Sequence, residues 1–160
     1  MHNNQVFGLT RGQPAPTAEL GFITKMQPHG SQLPPFNPLA LAISQDASFV
    51  GRGYAGNTEH LVELIKAAIH NPGFSFLDIL QPCVSFDQTH TYAWYQDRVY
   101  HLDRHYNPAD KIAAFHKAEE WGEKIPLGIL FKKDRPAYEM LHTALKNGPL
   151  ISQKTDPMEF

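Results

Sequence analysis

The stretch from residue 47 to residue 80 most constrains the fold, because it has the pattern of strand, helix, strand. "ASFVGRG" predicts a short strand broken by glycines, and "FSFLDIL" predicts an apolar strand covered on both faces. Between them, "NTEHLVELIKAAIHNPG" predicts a helix with one apolar face. That face carries Leu61, Leu64, Ile65, Ala68 and Ile69. Two strands joined through a helix by short connections indicate a βαβ unit, and therefore a parallel sheet with a right-handed crossover.

Helix start and stop signals lie around this unit. Thr58 is the expected N-cap of the central helix, and Asn71 begins the Asn-Pro-Gly sequence that ends it. Asn37 and Pro38 are the expected N-cap and first residue of an earlier helix. Later segments predict a helix, a strand and a last helix, in the order "NPADKIAAFHKAEEWGEK", "IPLGILF" and "RPAYEMLHTALKNG".

The fold class expected from these elements is α/β, with a parallel sheet and flanking helices. Most prolines and glycines before the βαβ unit fall in residues 8–38, which favours a long loop of the kind that often carries function. After residue 86 the composition shifts, and "THTYAWYQDRVYHLD" predicts an irregular arm or a short helix. We therefore expect a main unit over residues 1–85, a small appendage over 86–150 and a tail over 151–160.

Composition excludes several classes of protein. The 160 residues suffice for about one domain, and 14 basic against 16 acidic side chains argue against nucleic acid or a membrane surface as partner. One cysteine cannot form an internal disulfide, and no stretch approaches the roughly 18 apolar residues of a membrane span. The first residues lack the pattern of a signal peptide. A cytoplasmic protein is expected.

Cys83 follows a proline just beyond the second strand of the βαβ unit. In open parallel sheets, ligands bind beyond the carboxyl ends of the strands, so Cys83 lies where a site is expected. A single buried thiol more often acts as a small hydrophobic group, and both interpretations stay open at this point. Asp78, inside the apolar strand, is expected to pair with a basic group or a backbone donor.

Five ordered segments resemble one family, the beta subunit of 2-oxoacid:ferredoxin oxidoreductases. These segments are "NNQVFGLTRGQPAPT", "PPFNPLALAI", "GRGYAGNTEHLVELIKAAI", "GFSFLDILQPCVSF" and "IPLGILFKKDRPAYE". The 2-oxoglutarate-type branch is the most similar. The resemblance implies a thiamine-diphosphate enzyme that converts a 2-oxoacid and coenzyme A to an acyl-CoA and passes electrons to ferredoxin. It also implies that residues 1–85 are the C-terminal half of a thiamine-diphosphate-binding domain and that residues 86–150 are the C-terminal domain of the beta subunit.

The same resemblance implies particular site residues. The Asn4 side chain and the Val6 carbonyl would be ligands of the Mg²⁺ that holds the diphosphate, which agrees with the preference of Mg²⁺ for oxygen. The turn formed by Gly8, Leu9 and Thr10 would carry backbone against the cofactor. Arg11, where relatives usually have lysine, would face the substrate carboxylate.

Cys83 matches the family's remote fourth ligand of a [4Fe–4S] cluster, which normally needs four thiolates. Neither the family's other cluster cysteines nor its Gly-Asp-Gly segment occurs in the sequence. In the family, that segment is the first part of the motif, and its aspartate binds the metal. All three cofactors would thus be incompletely held by this chain. The resemblance implies a C-terminal half whose partners are an N-terminal half of the beta subunit, an alpha subunit and ferredoxin.

An alternative is a truncated, non-catalytic module that keeps only subunit-interface contacts. Tyr92, Trp94 and Tyr95 would suit such a surface, because aromatic side chains are enriched at interfaces. Local packing of this arm is the other explanation for them.

Overall fold

A computed structural model describes residues 1–153 of the chain. The strands are β1 (His2–Asn3), β2 (Val6–Phe7), β3 (Gln13–Pro14), β4 (Phe49–Tyr54), β5 (Ser75–Leu80), β6 (Val99–His101) and β7 (Ile125–Lys132). The α-helices are α1 (Pro38–Ser44), α2 (Thr58–His70), α3 (Tyr92–Gln96), α4 (Lys111–Glu119) and α5 (Tyr138–Leu141). Five strands form one sheet in the order β1-β5-β4-β7-β6, and β2 pairs with β3 in a separate hairpin.

The sheet is mostly parallel, as predicted. β1 and β4 both run parallel to β5, and β6 runs parallel to β7, while β4 and β7 are antiparallel. The predicted βαβ unit is confirmed as β4, α2 and β5. The carboxyl ends of β1, β4 and β5 therefore lie at one edge of the sheet, which is where the segments after Asn3 and Leu80 begin.

Helices cover both faces of the sheet. α1 and α4 pack on one face around buried apolar residues that include Ile43, Val50 and Leu130. On the other face α2 approaches β4 closely: a Cβ added at Gly53 would lie 2.6 Å from the Leu61 Cδ1 atom. Glycine at this position lets the helix pack directly on the strand backbone.

Two details of the central helix differ from expectation. Asn57, not Thr58, is the N-cap, and its side chain accepts a hydrogen bond from the His60 backbone amide. Of the five residues predicted to share the buried face, only Leu64 is fully buried, whereas Ile69 is 74% exposed. β5 is likewise covered less completely than predicted, because several of its apolar side chains are only half-buried.

The chain after residue 86 holds further differences. The aromatic arm contains the predicted short helix, α3, but also the unpredicted strand β6. α4 begins at Lys111 with Asp110 as its N-cap, and the predicted last helix is only four residues long before a 3₁₀ turn interrupts it. No residue of α5 is buried, so this short helix lacks the packing that stabilises most helices in proteins.

Segments on both sides of residue 85 build the sheet, since β7 lies beside β4 and β6 lies beside β7. A domain boundary at that residue stays a prediction. Of the predicted tail at 151–160, only residues 151–153 lie within the described part of the chain, where Leu150–Ser152 form a 3₁₀ turn. Over residues 1–153, no helix combines the length and the apolar character needed to cross a bilayer.

Candidate functional site at the carboxyl edge of the sheet

The chain leaves β1 through a tight turn that brings Asn4 and Val6 together. The Asn4 Oδ1 atom accepts a hydrogen bond from the Val6 backbone amide at 3.1 Å. Val6 lies opposite Pro14 in the hairpin, and the next bond along the ladder runs from the Ala15 amide to the Gln5 carbonyl at 2.8 Å. In this register the N–H and C=O of Val6 face away from β3. The Asn4 side-chain oxygen and the Val6 carbonyl are therefore presented on the same side of the chain.

The hairpin tip that follows projects outward. Gly8 accepts a hydrogen bond from the Arg11 amide at 3.1 Å, which closes the turn, and the Thr10 hydroxyl donates to the Gln13 side chain. Leu9 is 99% exposed, and Arg11 is exposed with a left-handed φ of 76°. None of the predicted tip residues is enclosed by another part of the described chain.

Cys83 lies three residues beyond β5 and is half-buried. It packs against a small apolar cluster of Val6, Ala18 and Phe22. The parallel pairing of β1 with β5 explains this meeting, because the two strands deliver their following segments to the same edge. The structure thus brings the predicted cluster ligand beside the predicted Mg²⁺-binding turn.

A second contact joins the same two segments. Phe86 covers the backbone of Gly12, where an added Cβ would lie 3.0 Å from the ring. Gly12 also has a left-handed φ of 97°, so two independent constraints favour glycine there. The base of the exposed hairpin is therefore fixed against the segment that carries Cys83.

The oxygen donors at the turn fit Mg²⁺, which prefers oxygen ligands, but they are two of the roughly six it needs. Cys83 is the only cysteine of the sequence, and a [4Fe–4S] cluster normally takes four thiolates. Within residues 1–153, no group of three or more His, Cys, Asp or Glu side chains is arranged to hold a metal ion. Any Mg²⁺ or cluster at this edge would need ligands from elsewhere.

Sequence reasoning missed a buried charged cluster behind the turn. The His90 Nδ1 atom lies 2.7 Å from Asp87 Oδ2, and its Nε2 atom lies 3.3 Å from Glu19 Oε1. The Trp121 indole N–H also donates to the Glu19 carboxylate. Burial alone would lower the pKa of His90, but hydrogen bonds and charge from Asp87 and Glu19 outweigh it and raise the pKa to about 9.

An ion pair lies on the face of the sheet that α1 and α4 cover, in the middle of the βαβ unit. Arg52 on β4 is directly opposite Asp78 on β5, with 3.6 Å between Nε and Oδ2, and both side chains are buried. The guanidinium also donates to the carbonyls of Ala118 and Glu120, at the end of α4. Burial raises the pKa of the Asp78 carboxyl, and the charge of Arg52 opposes that shift. The expected basic partner of Asp78 is confirmed as Arg52.

The aromatic arm packs mainly within the chain. Tyr95 is fully buried in a core cluster with Tyr54 and Leu80, and Trp94 packs against that cluster. The Trp94 ring also stacks with the guanidinium of Arg98, at 4.4 Å from the ring centroid. Of the three residues considered as an interface, only Tyr92 is exposed.

Comparison with known proteins separates the chain into two matched parts. Residues 1–79 match the family described as "Thiamine pyrophosphate enzyme, C-terminal TPP binding domain". Residues 83–147 match the family that comprises the C-terminal part of the pyruvate ferredoxin oxidoreductase beta subunit. Together these two matches include the turn after β1 and Cys83.

Individual relatives agree with both matches. The beta subunit of a 2-oxoacid:ferredoxin oxidoreductase from Saccharolobus solfataricus is 42% identical over 145 residues, which are 84% of this chain and 48% of the relative. The chain belongs to the family of 2-oxoacid:ferredoxin oxidoreductase beta subunits. It spans about half the length of this relative and of a second beta subunit, from Sulfolobus sp.

Two further family members bear on the branch. The 2-oxoglutarate oxidoreductase subunit KorB of Mycobacterium tuberculosis is 42% identical over 87 residues, covering 54% of this chain and 23% of that relative. The solved 2-oxoglutarate:ferredoxin oxidoreductase of Magnetococcus marinus, with 2-oxoglutarate, coenzyme A and succinyl-CoA bound, has a TM-score of 0.79 at 32% identity. That match covers 84% of this chain and 46% of the solved chain.

The family match over residues 1–79 supports a thiamine-diphosphate-type fold for the segment that carries Asn4 and Val6. The role of each residue there stays a prediction. Residue-level reasoning missed Gln5, which separates the two predicted Mg²⁺ ligands and is 1% exposed. The one signal in the sequence that could have identified Gln5 is its place as a polar residue between two candidate ligands.

Proposed function

We propose that this chain supplies the C-terminal half of the beta subunit of a cytoplasmic 2-oxoacid:ferredoxin oxidoreductase, with 2-oxoglutarate as the 2-oxoacid. The observation that carries the proposal is the shared orientation of the Asn4 Oδ1 atom and the Val6 carbonyl, beside Cys83, at the carboxyl edge of the sheet. The names of the KorB relative and of the solved M. marinus enzyme support the choice of 2-oxoglutarate and coenzyme A.

In this proposal Asn4 and Val6 provide two oxygen ligands of Mg²⁺, and an N-terminal half of the beta polypeptide provides the others. Gly8, Leu9 and Thr10 place backbone against the cofactor once that half covers the exposed hairpin tip. When bound, thiamine diphosphate supplies an electron sink for the decarboxylation of the 2-oxoacid.

Arg11 and Cys83 have separate roles in the proposal. Arg11 is exposed at the tip, so its guanidinium is available for a bidentate contact with a substrate carboxylate. Cys83 would provide one of the thiolates that hold a [4Fe–4S] cluster, and the N-terminal half would provide the others; when bound, the cluster would supply one-electron chemistry toward ferredoxin. The assembly also includes an alpha subunit.

The test is to purify the chain without air, after co-expression with the alpha subunit and the N-terminal half of a relative's beta subunit. Native mass spectrometry then reports thiamine diphosphate and iron per assembly. We expect both in the parent, loss of thiamine diphosphate with Asn4→Ala, and loss of iron with Cys83→Ser. Asn147→Ala, at an exposed asparagine in the C-terminal region, is the matched control and should retain both.

Assembly of the parent polypeptides without thiamine diphosphate and iron would overturn the proposal. Retention of thiamine diphosphate by Asn4→Ala would remove Asn4 from the site. A loaded assembly is then assayed for ferredoxin reduction that depends on both 2-oxoglutarate and coenzyme A, with pyruvate as the competing 2-oxoacid.

A further inference from the structure

Gln5 stands between the two proposed Mg²⁺ ligands in an unusual backbone conformation. Its φ is 61°, in the left-handed region, which costs a residue other than glycine about 1–3 kcal/mol. At most positions glycine or asparagine would relieve this cost. The residue is instead a glutamine with a fully buried side chain, whose Nε2 atom has no hydrogen-bond partner among residues 1–153. The left-handed conformation is held by hydrogen bonds of the Gln5 backbone and of its Oε1 atom.

Those contacts tie the turn to the loop behind it. The Gln5 Oε1 atom accepts a hydrogen bond from the Glu19 backbone amide at 3.1 Å, and the Gln5 carbonyl accepts one from the Ala15 amide at 2.8 Å. The Gln5 backbone amide in turn donates to the Asn3 Oδ1 atom at 3.4 Å. Gln5 is therefore held from its backbone and from its side chain at once.

The left-handed residue also decides which way its neighbours face. It lies between Asn4, whose side chain accepts a hydrogen bond from the Val6 amide, and Val6, whose carbonyl faces away from β3. With a right-handed or extended conformation at Gln5, Val6 could not pair with Pro14 and also donate its amide hydrogen bond to the Asn4 side chain.

We propose that Gln5 is a positioning residue for the Mg²⁺ site, whose side-chain anchor on Glu19 holds the left-handed turn that aligns Asn4 Oδ1 with the Val6 carbonyl. This inference rests on the proposed function, since it concerns the same site. Gln5 itself does not touch the metal: its side chain is directed into the protein, toward Glu19. Residues that orient metal ligands commonly change metal affinity about tenfold to a hundredfold when they are replaced.

The first experiment uses the chain alone and no cofactor. Amide hydrogen exchange, measured residue by residue by NMR, is compared between the parent, Gln5→Ala and Gln5→Gly. Glycine adopts the left-handed conformation freely, so Gln5→Gly removes the anchor while keeping the turn accessible. We expect faster exchange of the Val6 and Ala15 amides in both variants, with the amides of β4 and β5 unchanged.

Parent-like protection of the Val6 amide in both variants would overturn the inference, and so would a global rise in exchange that includes β4 and β5. Gln45→Ala, at an exposed glutamine after α1, is the matched control and should change neither set of amides.

The second experiment measures Mg²⁺ affinity in the assembly described above, by titration at a fixed excess of thiamine diphosphate. The dissociation constant for Mg²⁺ should rise about tenfold to a hundredfold in Gln5→Ala and Gln5→Gly, and should be unchanged in Gln45→Ala. A merely structural role would lower the folded fraction but leave the affinity of the folded molecules at the parent value, and that result would overturn the inference. A parent assembly that binds no Mg²⁺ would instead overturn the proposed function.

Discussion

The βαβ unit and the loop that precedes it are stabilised by different kinds of contact. In the unit, apolar side chains such as Phe49, Val50 and Leu80 are fully buried between helices and sheet. In the loop of residues 4–36, the buried apolar cluster is small, and it is accompanied by two buried polar side chains, those of Gln5 and Thr24. Apolar packing tolerates small shifts in position, whereas each buried polar atom needs a partner at hydrogen-bond distance. At the candidate site, the hydrogen bonds of Gln5 fix the turn that carries Asn4 and Val6.

The largest effect on stability is expected at the Arg52–Asp78 ion pair, a buried polar contact inside the mainly apolar βαβ unit. Asp78→Leu leaves the buried Arg52 charge without its acidic partner, and the loss of one member of a buried pair costs about 3–5 kcal/mol. We expect a decrease of that size in the free energy of unfolding, measured by urea denaturation. The double variant Arg52→Met, Asp78→Leu removes both charges and should recover part of the loss. Equal stability of Asp78→Leu and the parent would show that Arg52 does not need Asp78.

Next in size is a pair of substitutions within α2. Leu64 is 4% exposed and lies against the backbone of β4, so Leu64→Ala should lower the free energy of unfolding by about 2–5 kcal/mol. Ile69, on the face that the sequence predicts to be buried as well, is mostly exposed. Ile69→Ala should change stability by less than about 0.5 kcal/mol. Similar losses in the two variants, measured by the same denaturation, would contradict the observed placement of α2.

The stability of the protein is expected to depend on pH through His90, which pairs with Glu19 of the loop. The pKa of His90 is raised from 6.5 to about 9 by Asp87 and Glu19, so the folded state binds the proton more tightly than the unfolded state. Its contribution to stability is therefore complete below about pH 6.5 and is lost as the pH rises toward 9. At about 1.4 kcal/mol per pKa unit, the loss is on the order of 3 kcal/mol.

Urea denaturation at intervals between about pH 6 and about pH 9.5 measures this contribution of His90. His90→Gln should abolish the decline over that range, whereas His116→Gln, at an exposed histidine, should leave it as in the parent. A parent stability that does not fall between pH 6.5 and about pH 9 would exclude a protonated His90 in the folded state.

The two regions also differ in how far the sequence predicts them. Periodicity and capping residues were enough to predict β4, α2, β5 and their parallel pairing, because local pattern and tertiary packing agree there. The same pattern could not separate Leu64 from Ile69, since periodicity gives a helix face but not how much of that face the sheet covers. β6 escaped prediction because three residues in an aromatic stretch carry no alternation to detect.

For the candidate site, the order of the strands was the decisive information. The rule that ligands bind beyond the carboxyl ends of parallel strands predicts a site near Cys83, and the structure packs Cys83 against the cluster that contains Val6. The role of Cys83 stays a prediction. Gln5 and the His90 cluster were not predicted, because their partners lie far away in sequence, as Glu19 does from His90, and meet only through the fold. Buried polar networks have no periodic signature, so their members look like ordinary loop residues until the chain is folded.

The smallest effect concerns the helix start at which prediction and structure differ. Asn57 caps α2 by accepting a hydrogen bond from the His60 amide, so Asn57→Ala should lower the free energy of unfolding by about 1 kcal/mol. Thr58, predicted to be the cap, is the first residue of the helix, and Thr58→Ala should have an effect near zero because alanine has the higher helix propensity. Thermal and urea denaturation of the two variants measure the difference. A larger loss of stability in Thr58→Ala than in Asn57→Ala would contradict this helix start. It would show that Thr58 is the N-cap, as the sequence predicts.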